Sequence, residues 1–234
     1  MTTRKVGSRL SPHAVVRAYV SHRHAILFYS LLLTLVATPL LAAISRDRRL
    51  INFFVAINVV AAVNGLAPKR GKTLLWVVTV PALVLPLVPQ GTVPPLVEAA
   101  GLAIWTALAI VAGLGTVLYA MRAEQVDTEH VYAALSSYML AGVFMGVLYA
   151  AVETVWPGSM VDASAATPGE FPVESGIYFS FVTLATLGYG DVLPRTPLTR
   201  GLAVVEAVAG QLYIAVTIAK LVGAAARRPR GSPP

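Results

Sequence analysis

Long apolar runs alternate with short polar and basic segments along the whole chain. Six of these runs are long enough, or nearly so, to cross a bilayer as a helix, which takes about 20 residues. They cover residues 25–44, 50–66, 73–88, 96–121, 131–155 and 198–226. A seventh apolar segment, residues 174–185, is too short to cross and predicts a re-entrant helix. The pattern therefore predicts an all-α integral membrane protein with six transmembrane helices and one re-entrant helix.

Composition agrees with this class and argues against others. Hydrophobic residues make up 56% of the chain and charged residues only 12%, which is far from the composition of a soluble domain. The net charge of +7 comes from short basic clusters between apolar runs, which favours membrane orientation over nucleic-acid binding. The chain has no cysteine, so a disulfide framework, a thiolate metal site and a cysteine nucleophile are excluded. We find no Walker loop or nucleophile elbow and predict that the protein is not an enzyme.

The distribution of basic residues predicts the orientation. With the amino terminus inside and six crossings, twelve basic residues lie on the cytoplasmic side and five outside, as the positive-inside rule requires. Both termini are then cytoplasmic, and we expect no removable signal peptide. Arg46, Arg48 and Arg49 depart from the rule locally and fit either lipid headgroups or external acids such as Glu98.

The stretch Thr186-Leu187-Gly188-Tyr189-Gly190-Asp191, called here the glycine segment, follows the re-entrant helix directly. Gly188 and Gly190 can adopt positive φ at little steric cost. Glycine at every second position lets successive carbonyls face the same way, and such a row of oxygens can replace the water shell of a cation. The alternative is a tight glycine turn in a membrane loop.

The string Phe181-Val-Thr-Leu-Ala-Thr-Leu-Gly-Tyr-Gly-Asp191, followed by Pro194, resembles the filter region of the potassium channel superfamily. The order of elements over residues 131–226 also resembles its pore module: spanning helix, loop, re-entrant helix, glycine segment, proline turn, spanning helix. The resemblance implies a six-transmembrane member with one pore module, in a bacterial inner (plasma) membrane. It implies a homotetramer that passes K⁺ and contacts membrane lipids, without an organic cofactor.

By the same resemblance, backbone carbonyls hold K⁺ in the filter; they belong to Thr186, Leu187, Gly188 and Tyr189, with Gly190 completing the strand. Tyr189 is expected to point away from the ion and pack against the re-entrant helix. Asp191 sits at the outer mouth, where it attracts cations or ties the filter back.

Two positions depart from the superfamily pattern. Ala185 stands where many relatives have a second threonine, and Val182 stands where some bacterial relatives have an acid behind the filter. These differences leave two alternatives open: a weakly selective cation channel, or a non-conducting membrane sensor or subunit with a pore-like fold.

The last helix carries further candidates. Gly210 resembles the gating-hinge glycine of the superfamily, although simple packing is the alternative. Glu206 is an expensive residue in an apolar helix, expected to face the re-entrant helix near Ser180 or Thr183, or else the pore. Side chains at helical spacing are predicted to line the inner pore, and the last two are possible hydrophobic gates: Gln211, Ile214, Ile218 and Val222.

The predicted organisation has five parts: a basic cytoplasmic segment 1–24, a four-helix transmembrane domain 25–121, a linker 122–130, a pore domain 131–226 and a cytoplasmic tail 227–234. The fourth run has no arginine or lysine over residues 96–119, and voltage sensors need several. We therefore expect no strong intrinsic voltage gating. The four leading helices act as a scaffold, a lipid-facing collar or a sensor.

Two smaller features have competing interpretations. His22 and His24 form either a pH sensor or, as we expect, part of a solvated basic tail. Gly142 and Gly146 have the G-x-x-x-G spacing of packed membrane helices, which is a weak signal by itself.

Overall fold

The computed structural model describes residues 22–44, 113–119, 127–165 and 169–226. Several sequence predictions lie outside these residues. They are the second and third helices, the cluster Arg46, Arg48 and Arg49, most of the fourth helix, and both terminal segments beyond residues 22 and 226.

The described part of the chain is mostly helical. Its helices are α1 (Arg23–Ile44), α2 (Thr128–Val155), α3 (Val173–Leu184) and α4 (Pro197–Ala226), and residues 113–119 are also helical. Within these residues, α2 and the Pro197–Ala224 part of α4 are long and apolar enough to cross a membrane. The 12 residues of α3 are too few. The helices agree closely with the apolar runs of the sequence.

The start of α2 is fixed by a reciprocal cap. Asp127 precedes the helix, and its carboxylate accepts a hydrogen bond from the backbone N–H of His130 at 3.0 Å. This bond lowers the pKa of Asp127, since a backbone donor favours the charged carboxylate. The helix thus begins at Thr128, inside the predicted linker 122–130, because a side-chain cap satisfies backbone donors that the apolar pattern does not show.

Glycines bring α2 and α3 into backbone contact. A Cβ at Gly146 would overlap the backbone of Ile177, and a Cβ at Gly176 would overlap the carbonyl of Gly146. A Cβ at Gly142 would lie 2.6 Å from the ring of Phe181. The G-x-x-x-G spacing therefore marks the face of α2 on which α3 packs, as small residues permit close helix approach.

A short antiparallel ribbon lies between the helices. β1 (Met160–Asp162) pairs with β2 (Val192–Pro194), with Met160 opposite Pro194 and Asp162 opposite Val192. The backbone N–H of Arg195 extends the pairing by donating to the carbonyl of Ser159 at 2.8 Å. The sequence predicted a loop and a proline turn here but not the ribbon, because strands of three residues are too short to show a readable alternation. Residues 195 and 196, between Pro194 and Pro197, connect β2 to the following helix.

The prediction of a solvated tail is wrong for His24, which is only 3% exposed. Its ring stacks on Tyr119 with centroids 4.4 Å apart, and Tyr119 stacks on His130 at 4.7 Å. The backbone N–H of His24 also donates to the carboxylate of Glu129 at 3.1 Å. These contacts join the first helix to residues 113–119 and to the beginning of α2.

The contact between α2 and α3 generates a stability prediction. Gly146→Ala should destabilise the folded protein by about 2 kcal/mol, because the new methyl group meets backbone that cannot rotate away. Thermal unfolding in detergent measures the effect. Gly201→Ala is the matched control, since a Cβ there meets no heavy atom of the described chain within 4 Å. Equal unfolding curves for the two variants would contradict the close contact.

Candidate functional site

A specific C-terminal cap ends α3 and leads directly into the glycine segment. Beyond Leu184, the N–H of Thr186 donates to the carbonyl of Thr183 at 3.0 Å, and the N–H of Leu187 donates to that of Val182 at 2.9 Å. These paired bonds, with a left-handed residue between them, define a Schellman motif. The left-handed residue is Thr186, with φ of 57°. The cap thus turns the chain out of the helix at the first residue of the glycine segment.

Left-handed conformations recur at every second residue of the segment. Gly188 has φ of 60° and Gly190 has φ of 81°, as the sequence predicted, and they follow Thr186 at the same spacing. Thr186 is the one non-glycine residue with positive φ in the described chain. Such a conformation is a strained outlier for a β-branched side chain, with a typical cost of about 1–3 kcal/mol. The two hydrogen bonds of the cap offset part of that cost.

The outer end of the segment is tied back to α3. The hydroxyl of Tyr178 donates to the carboxylate of Asp191 at 2.6 Å. The same carboxylate accepts from the N–H of Val192, and the carbonyl of Asp191 accepts from the N–H of Ala163 at 2.9 Å. These bonds join Asp191 to α3, and its place at the outer mouth of a filter stays a prediction. Sequence reasoning missed Tyr178, although an aromatic hydroxyl on the re-entrant helix was a visible signal.

The loop outside the segment is held by Asp162. Its carboxylate accepts from the hydroxyls of Ser164 and Ser175, each at 2.6 Å, and from the N–H of Ser164 at 2.8 Å. Ser175 belongs to the first turn of α3. Partial burial works against the charge, but these hydrogen bonds lower the pKa of Asp162. The ionised group therefore fixes β1 to the start of the re-entrant helix.

Glu206 of α4 contacts both α2 and α3, the other two helices of the predicted pore domain. Its carboxyl accepts from the hydroxyl of Ser180 on α3 and, at 2.7 Å, from the hydroxyl of Tyr149 on α2. The three residues are buried, with exposures of 4% for Glu206 and 0% for both partners. Glu206 thus lies against Ser180, where the sequence analysis expected it. Tyr149 was missed because 57 residues separate it from Glu206.

Below the segment, α4 touches the end of α3. A Cβ at Gly210 would lie 2.6 Å from the side chain of Leu184. The amide of Gln211 donates to the carbonyl of Leu184 at 3.0 Å. Gly210 therefore has a packing contact that favours the packing interpretation, and its role as a hinge stays a prediction.

The remaining predicted residues differ in how far the described part of the chain covers them. Ile214 is half-buried, whereas Ile218 and Val222 are 56% and 64% exposed. Tyr189 is 65% exposed in the single chain, and its packing against the re-entrant helix stays a prediction.

A capped re-entrant helix, a backbone of alternating handedness and a flanking pair of apolar helices are features of a channel-forming membrane protein. The sequence profile of the family described as "Ion channel" matches residues 106–227, which is more than half of the chain. The chain belongs to this ion channel family.

Two curated relatives are similar over part of their length. Two pore potassium channel c of Oryza sativa subsp. japonica is 30% identical over 93 residues, covering 40% of this chain and 18% of the relative. The inward rectifier potassium channel Kirbac3.1 of Paramagnetospirillum magnetotacticum is 33% identical over 96 residues, covering 39% of this chain and 28% of the relative. The chain thus spans less than a third of either relative. A search of solved structures found no match.

The hydrogen bonds of Asp162 generate a prediction about pH. Because its pKa is lowered in the folded state, its contribution is present above the ordinary value of about 3.9 and is lost as the pH falls through the folded value. Hydrogen-exchange protection in β1 should therefore decline in acid. Asp162→Asn should reduce this protection at neutral pH and flatten its acid decline. A variant with the same pH profile as the unmodified protein would contradict the assignment.

Proposed function

We propose that the protein is a potassium-selective channel that passes K⁺ passively across the membrane. The observation that carries this proposal is the left-handed backbone at Thr186, Gly188 and Gly190, entered through the cap of a helix too short to span the membrane. Membership of the ion channel family supports a channel. Two relatives are potassium channels by name, which supports the choice of ion.

The proposed chemistry is replacement of the hydration shell. Backbone carbonyls of Thr186, Leu187, Gly188 and Tyr189, with the Thr186 hydroxyl, take the place of water around K⁺. The negative end of the α3 dipole favours a cation next to Leu184. The amide of Gln211 donates a hydrogen bond to the carbonyl of Leu184, the last residue of α3. We therefore place Gln211 where the proposed filter opens into the inner cavity.

The proposed assembly is a homotetramer. Irregular backbone is tolerated at membrane depth only where protein covers it or where it lines a water-filled cavity. In the single chain, the side chains of Leu187 and Tyr189 are 56% and 65% exposed. In the most apolar part of α4 only 11% of the residues are buried, against 56% for α2. Further copies of the chain supply the missing cover, and four strands complete a ring of oxygens.

The finer features of the proposal follow from the sequence. We place six transmembrane helices, one pore module and cytoplasmic termini in a bacterial inner membrane. The segment 96–119 carries no basic residue, so the leading helices do not act as a charged voltage sensor. The contacts of His24 and Tyr119 connect these helices to the pore domain.

A matched pair of glycine variants tests the filter. Gly190→Ala and Gly158→Ala place a methyl group at nearly the same positive φ, 81° and 85°, where a Cβ meets nothing within 4 Å of the described chain. Each change costs about 1–2 kcal/mol of backbone strain. In K⁺-loaded liposomes, Gly190→Ala should abolish K⁺ flux, whereas Gly158→Ala should retain it. Equal flux from both variants would contradict the filter assignment.

The lack of a charged sensor predicts weak voltage dependence. The purified protein in a planar bilayer should show an open probability that changes little across the physiological range of voltage. Each elementary charge that crosses the field contributes only about 2.3 kcal/mol per 100 mV, and the fourth run supplies no basic charge. A steep, reversible increase in open probability on depolarisation would contradict this prediction.

A further inference from the structure

The buried carboxyl of Glu206 joins all three helices of the proposed pore domain at one point. Tyr149 approaches it from α2 and Ser180 approaches it from α3. A carboxyl group in an apolar interior is costly unless its oxygens have partners. Here one oxygen accepts from each hydroxyl, and both hydroxyls are fully buried. The group is therefore held in a single position by two separate helices.

The contact between Glu206, Ser180 and Tyr149 lies against α3, the helix that leads into the glycine segment. Ser180 stands only six residues before Thr186. The neighbouring Phe179 packs edge-to-face on Tyr149 with centroids 4.9 Å apart, so the same stretch of α3 is also fixed by packing. One turn further along α4, Gly210 and Gln211 contact Leu184, the last residue of α3. Helix α4 thus holds α3 at two levels, in its middle and at its end.

We propose that Glu206 is a positioning residue for the glycine segment, holding α3 at a fixed height against α4 so that displacement of α4 is transmitted to the residues after Ala185. The inference rests on the proposed channel function. It adds a specific mechanical link between the inner helix and the filter. Ser180 and Tyr149 are the two attachment points of that link.

Ser180→Ala is the mildest test, because it removes one hydroxyl from the carboxyl and keeps the volume of the site. Ser137→Ala is its control: Ser137 is 3% exposed, its hydroxyl donates to the Ala133 carbonyl within α2, and its other hydrogen-bond partner is Tyr213 of α4 rather than a residue of α3. Tyr149→Phe has a matched control in Tyr213→Phe, which removes a hydroxyl bond from α4 to the Ala134 carbonyl of α2 without touching α3.

Each variant is reconstituted as the full chain in planar bilayers, and the Na⁺-to-K⁺ permeability ratio is obtained from the reversal potential. Thermal stability is measured in parallel in K⁺ and in Na⁺. We expect Ser180→Ala and Tyr149→Phe to raise the permeability ratio about fivefold, which corresponds to about 1 kcal/mol, the net contribution of a typical hydrogen bond. Their loss of thermal stability should be larger in K⁺ than in Na⁺. The two control variants should leave the ratio unchanged.

A purely structural role gives a different result: equal loss of stability in both salts, with the permeability ratio of the unmodified protein. That result in both test variants would overturn the inference while leaving the proposed function intact. Absence of K⁺ current from the unmodified protein would instead overturn the proposed function. Glu206→Ala leaves both hydroxyls without an acceptor and is expected to reduce assembly, so the decision depends on the two milder variants.

Discussion

A backbone that leaves its helix at membrane depth must still satisfy its polar groups, and this constraint organises the described part of the chain. In the proposed pore domain, α3 ends at membrane depth after 12 residues, where lipid offers no hydrogen-bond partner to the carbonyls left open. Two of those carbonyls accept bonds from Thr186 and Leu187, and the Leu184 carbonyl accepts from Gln211. The last carbonyls of α3 therefore receive their hydrogen bonds from the chain itself. In the proposed channel, the carbonyl oxygens of the residues that follow coordinate K⁺.

Three sets of contacts fix the position of α3 and of the residues that follow it. First, Tyr178 of α3 donates a hydrogen bond to the carboxylate of Asp191, and Ala163, next to β1, donates one to the carbonyl of Asp191. Second, the carboxyl of Glu206 on α4 fixes the middle of α3 by accepting a hydrogen bond from Ser180. Third, Gly146 and Gly176 let the backbone of α2 come into contact with the backbone of α3. Such support is needed because Thr186 holds a strained left-handed conformation.

The sequence predicted what depends on local composition. The runs 174–185 and 198–226 agree with α3 and α4 to within one residue at each end. Pro172 and Pro197 mark the beginnings of these two helices, and Arg227 follows the second. The positive φ of Gly188 and Gly190 also followed from residue type. What could not be predicted depends on contacts between distant residues. The burial of His24 against Tyr119, the hydroxyl of Tyr149 at Glu206 and the ribbon formed by residues 160 and 194 are of this kind.

We propose that the carbonyls of the glycine segment select K⁺, and the other proposed features depend on this selection. The most direct measurement is the reversal potential of the purified protein in a planar bilayer with K⁺ on one side and Na⁺ on the other. We expect a reversal potential far from zero, with the K⁺ side negative, because K⁺ leaves that side much faster than Na⁺ enters it. A reversal potential near zero would contradict it and indicate a weakly selective cation channel.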